Sequence, residues 1–76
     1  MREFLEYVAK QLVDNPDAVV ITDEEKDNKI VFKLKVSQPD IGKIIGKQGR
    51  TAQSIRVLLS AVAAKHGKRA ILEVED

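Results

Sequence analysis

Ile41-Gly42-Lys43-Ile44-Ile45-Gly46-Lys47-Gln48-Gly49-Arg50-Thr51 is the stretch on which the fold turns, because two glycines three apart interrupt a pattern that is helical on both sides. Upstream, Ser37-Gln38-Pro39-Asp40 has the form of a helix start, with Ser37 as cap, Asp40 three residues on to complete a capping box, and Pro39 tolerated in the first turn. A short helix through Ile41, Ile44 and Ile45 should follow and end at Gly46. Downstream, Ile55, Leu58, Leu59 and Val62 mark one face of a long helix running to about Lys65. His66-Gly67 closes it with a glycine suited to a left-handed cap.

Strands flank this helical pair. Lys29 to Val36 alternates Ile30, Phe32, Leu34 and Val36 with Lys29, Val31, Lys33 and Lys35, so one face is buried and the other basic. Ala70 to Glu75 reads as a final strand. Before them, Ala18 to Thr22 is short and β-branched, and Asp23 to Asn28 reads as an exposed hairpin connection whose acids only solubilise. Met1, Leu5, Val8, Ala9 and Leu12 recur at three and four, the spacing of an amphipathic helix that must stop at Asp14-Asn15-Pro16. The order is helix, strand, strand, helix, helix, strand. The strand-helix-helix-strand unit from Lys29 is a right-handed crossover with parallel strands, and the first strand joins antiparallel. The expectation is an α+β domain over 1–76, a three-stranded mixed sheet with three helices on one face and lysines on the other.

At 76 residues a chain buries only about 60% of its surface, so one continuous core must serve. With no cysteine, neither disulfides nor thiolate metal sites can supplement that core. Glu3, Glu6, Asp14 and Asp17 interrupt the first twenty residues, which fits neither a signal peptide nor a membrane span and makes a cytoplasmic location the expectation. The formal net charge of +1 conceals an asymmetry: residues 1–37 hold six basic and eight acidic side chains, residues 38–76 seven and four. From Ile41 to Leu72 there is no acid, while Lys43, Lys47, Arg50, Arg56, Lys65, Lys68 and Arg69 are all present, a balance that suits a polyanion.

A glycine loop opening a helix lets a backbone approach without a Cβ in the way, and presents free N–H groups beside a positive dipole end. Lys47 and Arg50 add mobile charge, so phosphate is the natural visitor. By itself a Gly-x-x-Gly string also serves as a plain helix-to-helix turn. In context, Ile45-Gly46-Lys47-Gln48-Gly49-Arg50-Thr51 followed by Ile55 resembles the signature of KH domains, and the element order resembles their bacterial, type II arrangement. Pro39 to Thr51, in wording and in the length of the whole chain, is similar to the small single-domain bacterial KH proteins of the KhpA family.

That resemblance implies a groove holding about four unpaired nucleotides of single-stranded RNA, clamped at the backbone by the loop. Gly46 and Gly49 would permit the approach, and Lys47 and Gln48 would meet phosphates. Arg50 and Ser54 would lie on the groove side, Ile41, Ile44 and Ile45 would form an apolar floor, and Lys43 or Arg56 would add backbone contacts. It further implies an RNA chaperone or post-transcriptional regulator that pairs with itself or with a larger KH protein of the KhpB or Jag type. Phe4, Tyr7 and Phe32 are the only aromatic residues, and with two of them read as core no RRM-like or OB-like stacking platform is expected.

On the long helix, Val57, Ala61 and Ala64 fall opposite Ile55, Leu58, Leu59 and Val62 at about 100 degrees per residue, a candidate dimer or partner face. Alanine is also simply a good helix former. An adapter without RNA contact is therefore the alternative function. Catalysis is not expected: His66 stands alone at a helix end, and Glu24, Glu25 and Asp27 suit solvent better than an acid-base pair. A P-loop fails because the glycine spacing is one residue short and Gln48 stands where Ser or Thr must meet magnesium. No cofactor, metal or small-molecule substrate is expected.

Overall fold

The apolar spacing at the start of the chain forms helix α1, Arg2–Leu12, which turns Leu5 and Ala9 fully into the core. The structure, a computed structural model, describes residues 1–75, so Asp76 of the expected 1–76 unit lies outside the described residues. Val13 ends α1 in extended backbone, and Pro16–Ala18 forms a single 3-10 turn with its proline at the first position. Strand β1 then runs Val20–Lys26, β2 Lys29–Lys35 and β3 Arg69–Glu75. Their order is β1-β2-β3, with β1 antiparallel and β3 parallel to β2. Between β2 and β3 lie α2, Ile41–Ile45, and α3, Arg50–Lys65.

The expected mixed sheet and element order are therefore present, with one correction at the hairpin. Asp23 to Lys26 is strand, paired from Asp23↔Phe32 to Lys26↔Lys29, and the connection shrinks to Asp27-Asn28, with Asp27 at φ 57. Acidic residues are poor strand formers, but cross-strand partners decide such cases. Register puts Asp23 and Glu25 on the same side as Ile21, where Arg2 reaches Asp23 Oδ1 at 3.6 Å and Lys68 pairs with Glu25. Arg2 also donates to the Ile21 carbonyl at 3.0 Å, tying α1 to β1. These acids hold elements together rather than merely solubilising, and they charge an edge strand that would otherwise invite pairing.

Ile21, Ile30, Phe32, Leu34 and Leu72 cover the inner sheet face and meet Leu5 and Ala9 of α1, Ile44 of α2, and Ile55 and Leu59 of α3. Each fully closed Leu or Phe contributes about 1.5–3 kcal/mol of transfer free energy. The outer face carries Lys29, Lys33 and Lys35, as the alternation predicts, but β1 and β3 set Glu24, Glu73 and Glu75 among them. Of the aromatic residues only Phe32 is core; Phe4 and Tyr7 are exposed on α1.

On α3 the buried positions are Ala52, Ile55, Leu59 and Ala63. Leu58, expected on the core face, is 50% exposed, and Val62 is only partly buried. The two alanines let the helix sit close to the sheet, so the buried line runs through small residues that a search for large apolar ones passes over. The helix ends as expected: the Lys68 N–H donates to the Ala63 carbonyl at 2.9 Å and that of Gly67 to Ala64 at 3.1 Å, a Schellman cap with Gly67 at φ 70.

Candidate nucleic-acid interface

Helix α2 stops because Gly46 adopts φ 77, ψ 174 while its N–H still reaches the Gly42 carbonyl at 2.8 Å. A Cβ built at Gly46 would run into the Thr51 side chain and come within 2.9 Å of the Thr51 nitrogen, so glycine is required here by packing as well as by φ. Gln48 follows at φ 57, ψ 27 and Gly49 at φ 74, ψ 9. A left-handed conformation at a non-glycine residue such as Gln48 costs about 1–2 kcal/mol, strain of the kind stored at functional loops. The loop closes internally through Gly49 N–H to Gly46 O at 3.1 Å and Arg50 N–H to Lys47 O. The Lys47 and Gln48 side chains are exposed, and neither Lys47 nor Arg50 forms an ion pair among the described residues. A glycine-flanked turn, two spare cations and the opening turn of a sixteen-residue helix thus converge on one place.

What holds the loop's first helix in position is Asp40. Its side chain is 2% exposed and accepts from Ser37 Oγ at 2.9 Å, from the Asn15 N–H at 3.0 Å and from the Asp14 N–H at 3.2 Å. Ser37 therefore makes no side-chain cap to backbone; the expected capping box is replaced by a buried carboxylate that satisfies the amides after α1. Lys43 completes the arrangement, 2.6 Å from Asp14 Oδ2 and 3.5 Å from Asp40 Oδ1. Its hydrogen bond to Asp14 raises the Lys43 pKa against the opposing effect of desolvation, and the charges of Asp14 and Asp40 reinforce the rise. No buried side-chain nitrogen or oxygen among the described residues lacks a partner.

The positions singled out in the sequence separate accordingly. Lys47, Gln48, Arg50 and Ser54 are exposed, with Gly46 and Gly49 half-buried between them. Ile45 is 40% exposed and Ile41 half-buried beside it, but Ile44 is fully closed in the core and offers no floor to a ligand. Lys43 is occupied by Asp14 and Asp40, and Arg56 turns to the Leu72 carbonyl of β3 at 3.4 Å, away from the loop. Val57, Ala61 and Ala64 are exposed and share one stripe of α3 with Arg50 and Ser54, joined at its margin by Leu58. The Asp40 network was not legible, since a buried carboxylate leaves no periodic signal and its two backbone donors lie 25 and 26 residues away.

Surface depressions occur elsewhere, one on the outer sheet face around Thr22, Val31 and Lys33 and one at the hairpin end around Lys26, Lys29 and Arg69. A loop that presents donors to a backbone needs a ridge more than a cavity. Among the described residues no group of three His, Cys, Asp or Glu side chains is placed to hold a metal ion, and no helix is long and apolar enough to cross a membrane.

Three helices on a mixed sheet, with a Gly-x-x-Gly loop between two consecutive helices of the crossover, define a KH domain. Residues 2–74 match the family model described as KhpA/KhpB, KH domain, and the chain belongs to that family. It is 49% identical over 76 residues to the RNA-binding protein KhpA of Chlamydia pneumoniae, covering 100% of this chain and 97% of the relative. It is 50% identical over 74 residues to the RNA-binding protein KhpA of Caldanaerobacter subterraneus subsp. tengcongensis, covering 97% and 99%. The RNA-binding protein KhpA of Aquifex aeolicus is 43% identical over 74 residues, covering 97% and 94%. No solved structure matches the chain.

Proposed function

We propose that the chain binds single-stranded RNA, holding about four nucleotides of backbone at the Gly46-Lys47-Gln48-Gly49 loop and the first turns of α3. The observation that carries this reading is the Gly46-to-Gly49 loop opening α3 with the exposed side chains of Lys47 and Arg50 beside it, neither in an ion pair among the described residues. Ser54 extends the contact by one helical turn, and Ile41 and Ile45 offer the bases a small apolar surface. Affinity then rests on phosphate contacts and falls steeply with salt, with loose base preference. The names carried by the relatives agree with this reading.

The exposed stripe of Val57, Leu58, Ala61 and Ala64 favours a second role on the same helix: pairing with another copy or with a larger KH protein of the KhpB or Jag type, as suits an RNA chaperone or post-transcriptional regulator with one small groove. An adapter that never touches RNA would use this stripe alone. Titration into a labelled unstructured RNA at two salt concentrations separates the two, using wild type and a Lys47→Asp, Gln48→Asp variant whose fold is checked by circular dichroism. The RNA clamp requires binding that weakens with salt and is lost in the folded variant; equal binding by both proteins contradicts it.

A further inference from the structure

The end of the molecule opposite the loop carries a charge arrangement that the loop does not account for. Register pairs Lys26 with Lys29 across the hairpin and Lys29 with Arg69 across the parallel ladder, so three cations stand in one row on the outer sheet face. Directly paired residues lie on the same face with Cβ atoms about 4.5–5.5 Å apart, and like charges so placed repel. The row is fixed rather than incidental, because the Arg69 N–H donates to the Asn28 carbonyl at 2.7 Å and pins the start of β3 to the hairpin turn. Neutralisation in place is not what the structure provides. None of the three forms an ion pair among the described residues; Glu25 is taken by Lys68 on the inner face, and neither Asp27 nor Glu24, the carboxylates nearest in sequence, is within pairing distance. Lys26, Asp27, Asn28, Lys29 and Arg69 together line an open depression.

We infer that Lys26, Lys29 and Arg69 form a second phosphate-binding site, which takes the sugar-phosphate backbone of an RNA already held at the loop. This rests on the RNA-binding reading proposed above. The two sites lie at opposite ends of α3, whose sixteen residues rise about 24 Å, so a strand that fills only the groove does not reach the row and a longer one does. With no aromatic or apolar side chain lining the depression, the row contacts phosphate in preference to bases. It therefore adds affinity for length and leaves sequence preference unchanged.

The test is fluorescence anisotropy with a tetranucleotide and with an unstructured RNA of roughly 20 nucleotides, long enough to pass both ends of a helix of that rise. Four proteins are compared: wild type, the Lys29→Gln, Arg69→Gln variant, the Lys47→Asp, Gln48→Asp variant, and a charge control, Lys10→Gln, Lys35→Gln, which removes the same charge elsewhere. The row variant is expected to bind the tetranucleotide like wild type and the longer RNA about tenfold more weakly at low salt, with a salt slope shallower by roughly 1.4, or 0.7 for each cation removed. The loop variant should lose both RNAs, and the charge control neither. Row-variant affinity for the longer RNA equal to that of wild type, or reduced only as far as in the charge control, overturns the second site and leaves the loop reading standing. Failure of wild type to bind either RNA overturns both.

Discussion

Asp40 brings a negative charge to a place 2% exposed and keeps it ionised there. Burial pushes its pKa up; the hydrogen bond from Ser37, those from the Asp14 and Asn15 amides, and the nearby Lys43 charge together push it further down, leaving it below the ordinary aspartate value. A carboxyl whose pKa is depressed on folding adds stability that is complete above the unfolded value of about 3.9 and is lost as pH falls through the folded one. Asp40→Asn puts an amide group against two backbone donors that need acceptors. The variant should melt below wild type at neutral pH, and the gap in Tm should close as pH falls below about 4. Thermal unfolding across that range checks it, and a gap independent of pH would mean that the charge is not what matters. In the sequence Asp40 reads only as a member of a capping box, whereas the glycines declare themselves, because Gly46 and Gly49 interrupt an apolar helical pattern that nothing else interrupts.

At the scale of the element, the helices and β2 were legible because each has one buried face and a period to show it. Strand β1 was not, since Asp23-Glu24-Glu25-Lys26 has the composition of a loop and becomes strand through its ladder to β2 and through the charges of Arg2 and Lys68. On α3 the helical period places Val57, Ala61 and Ala64 outward, as the structure has them, but not Leu58, whose neighbour Leu59 takes the core position while Ala52 and Ala63 set the line of contact. Val57 and Leu58, 57% and 50% exposed, flank the small Ala61, which leaves room for a second helix to approach. Sedimentation is expected to give a dimer for wild type and a monomer for Ala61→Arg at the same concentration, since a buried unpaired guanidinium has no partner there. The same mass for both would remove the stripe from consideration as a self-association face.

Over the whole molecule, the chain's uneven charge becomes a spatial arrangement. Several acids sit at joints: Asp14 of the first half and Asp40 of the second on Lys43, Asp23 on Arg2, Glu25 on Lys68. Among the described residues, the cations that form no ion pair include two groups, Lys47 and Arg50 at the loop and Lys26, Lys29 and Arg69 at the far end of α3. The basic stretch from Ile41 to Leu72 announced a polyanion in sequence, but which of its cations are spare is decided by partners such as Asp14, 29 residues from Lys43, and no local pattern shows that. RNA is expected to meet the loop and the start of α3. The most direct measurement is nuclear magnetic resonance of the amide signals during titration with a tetranucleotide. The largest shifts should fall on Gly46 to Thr51 and on Ser54, with the Lys47 and Gln48 amides foremost. Binding whose shifts leave that loop unmoved and fall elsewhere would contradict it.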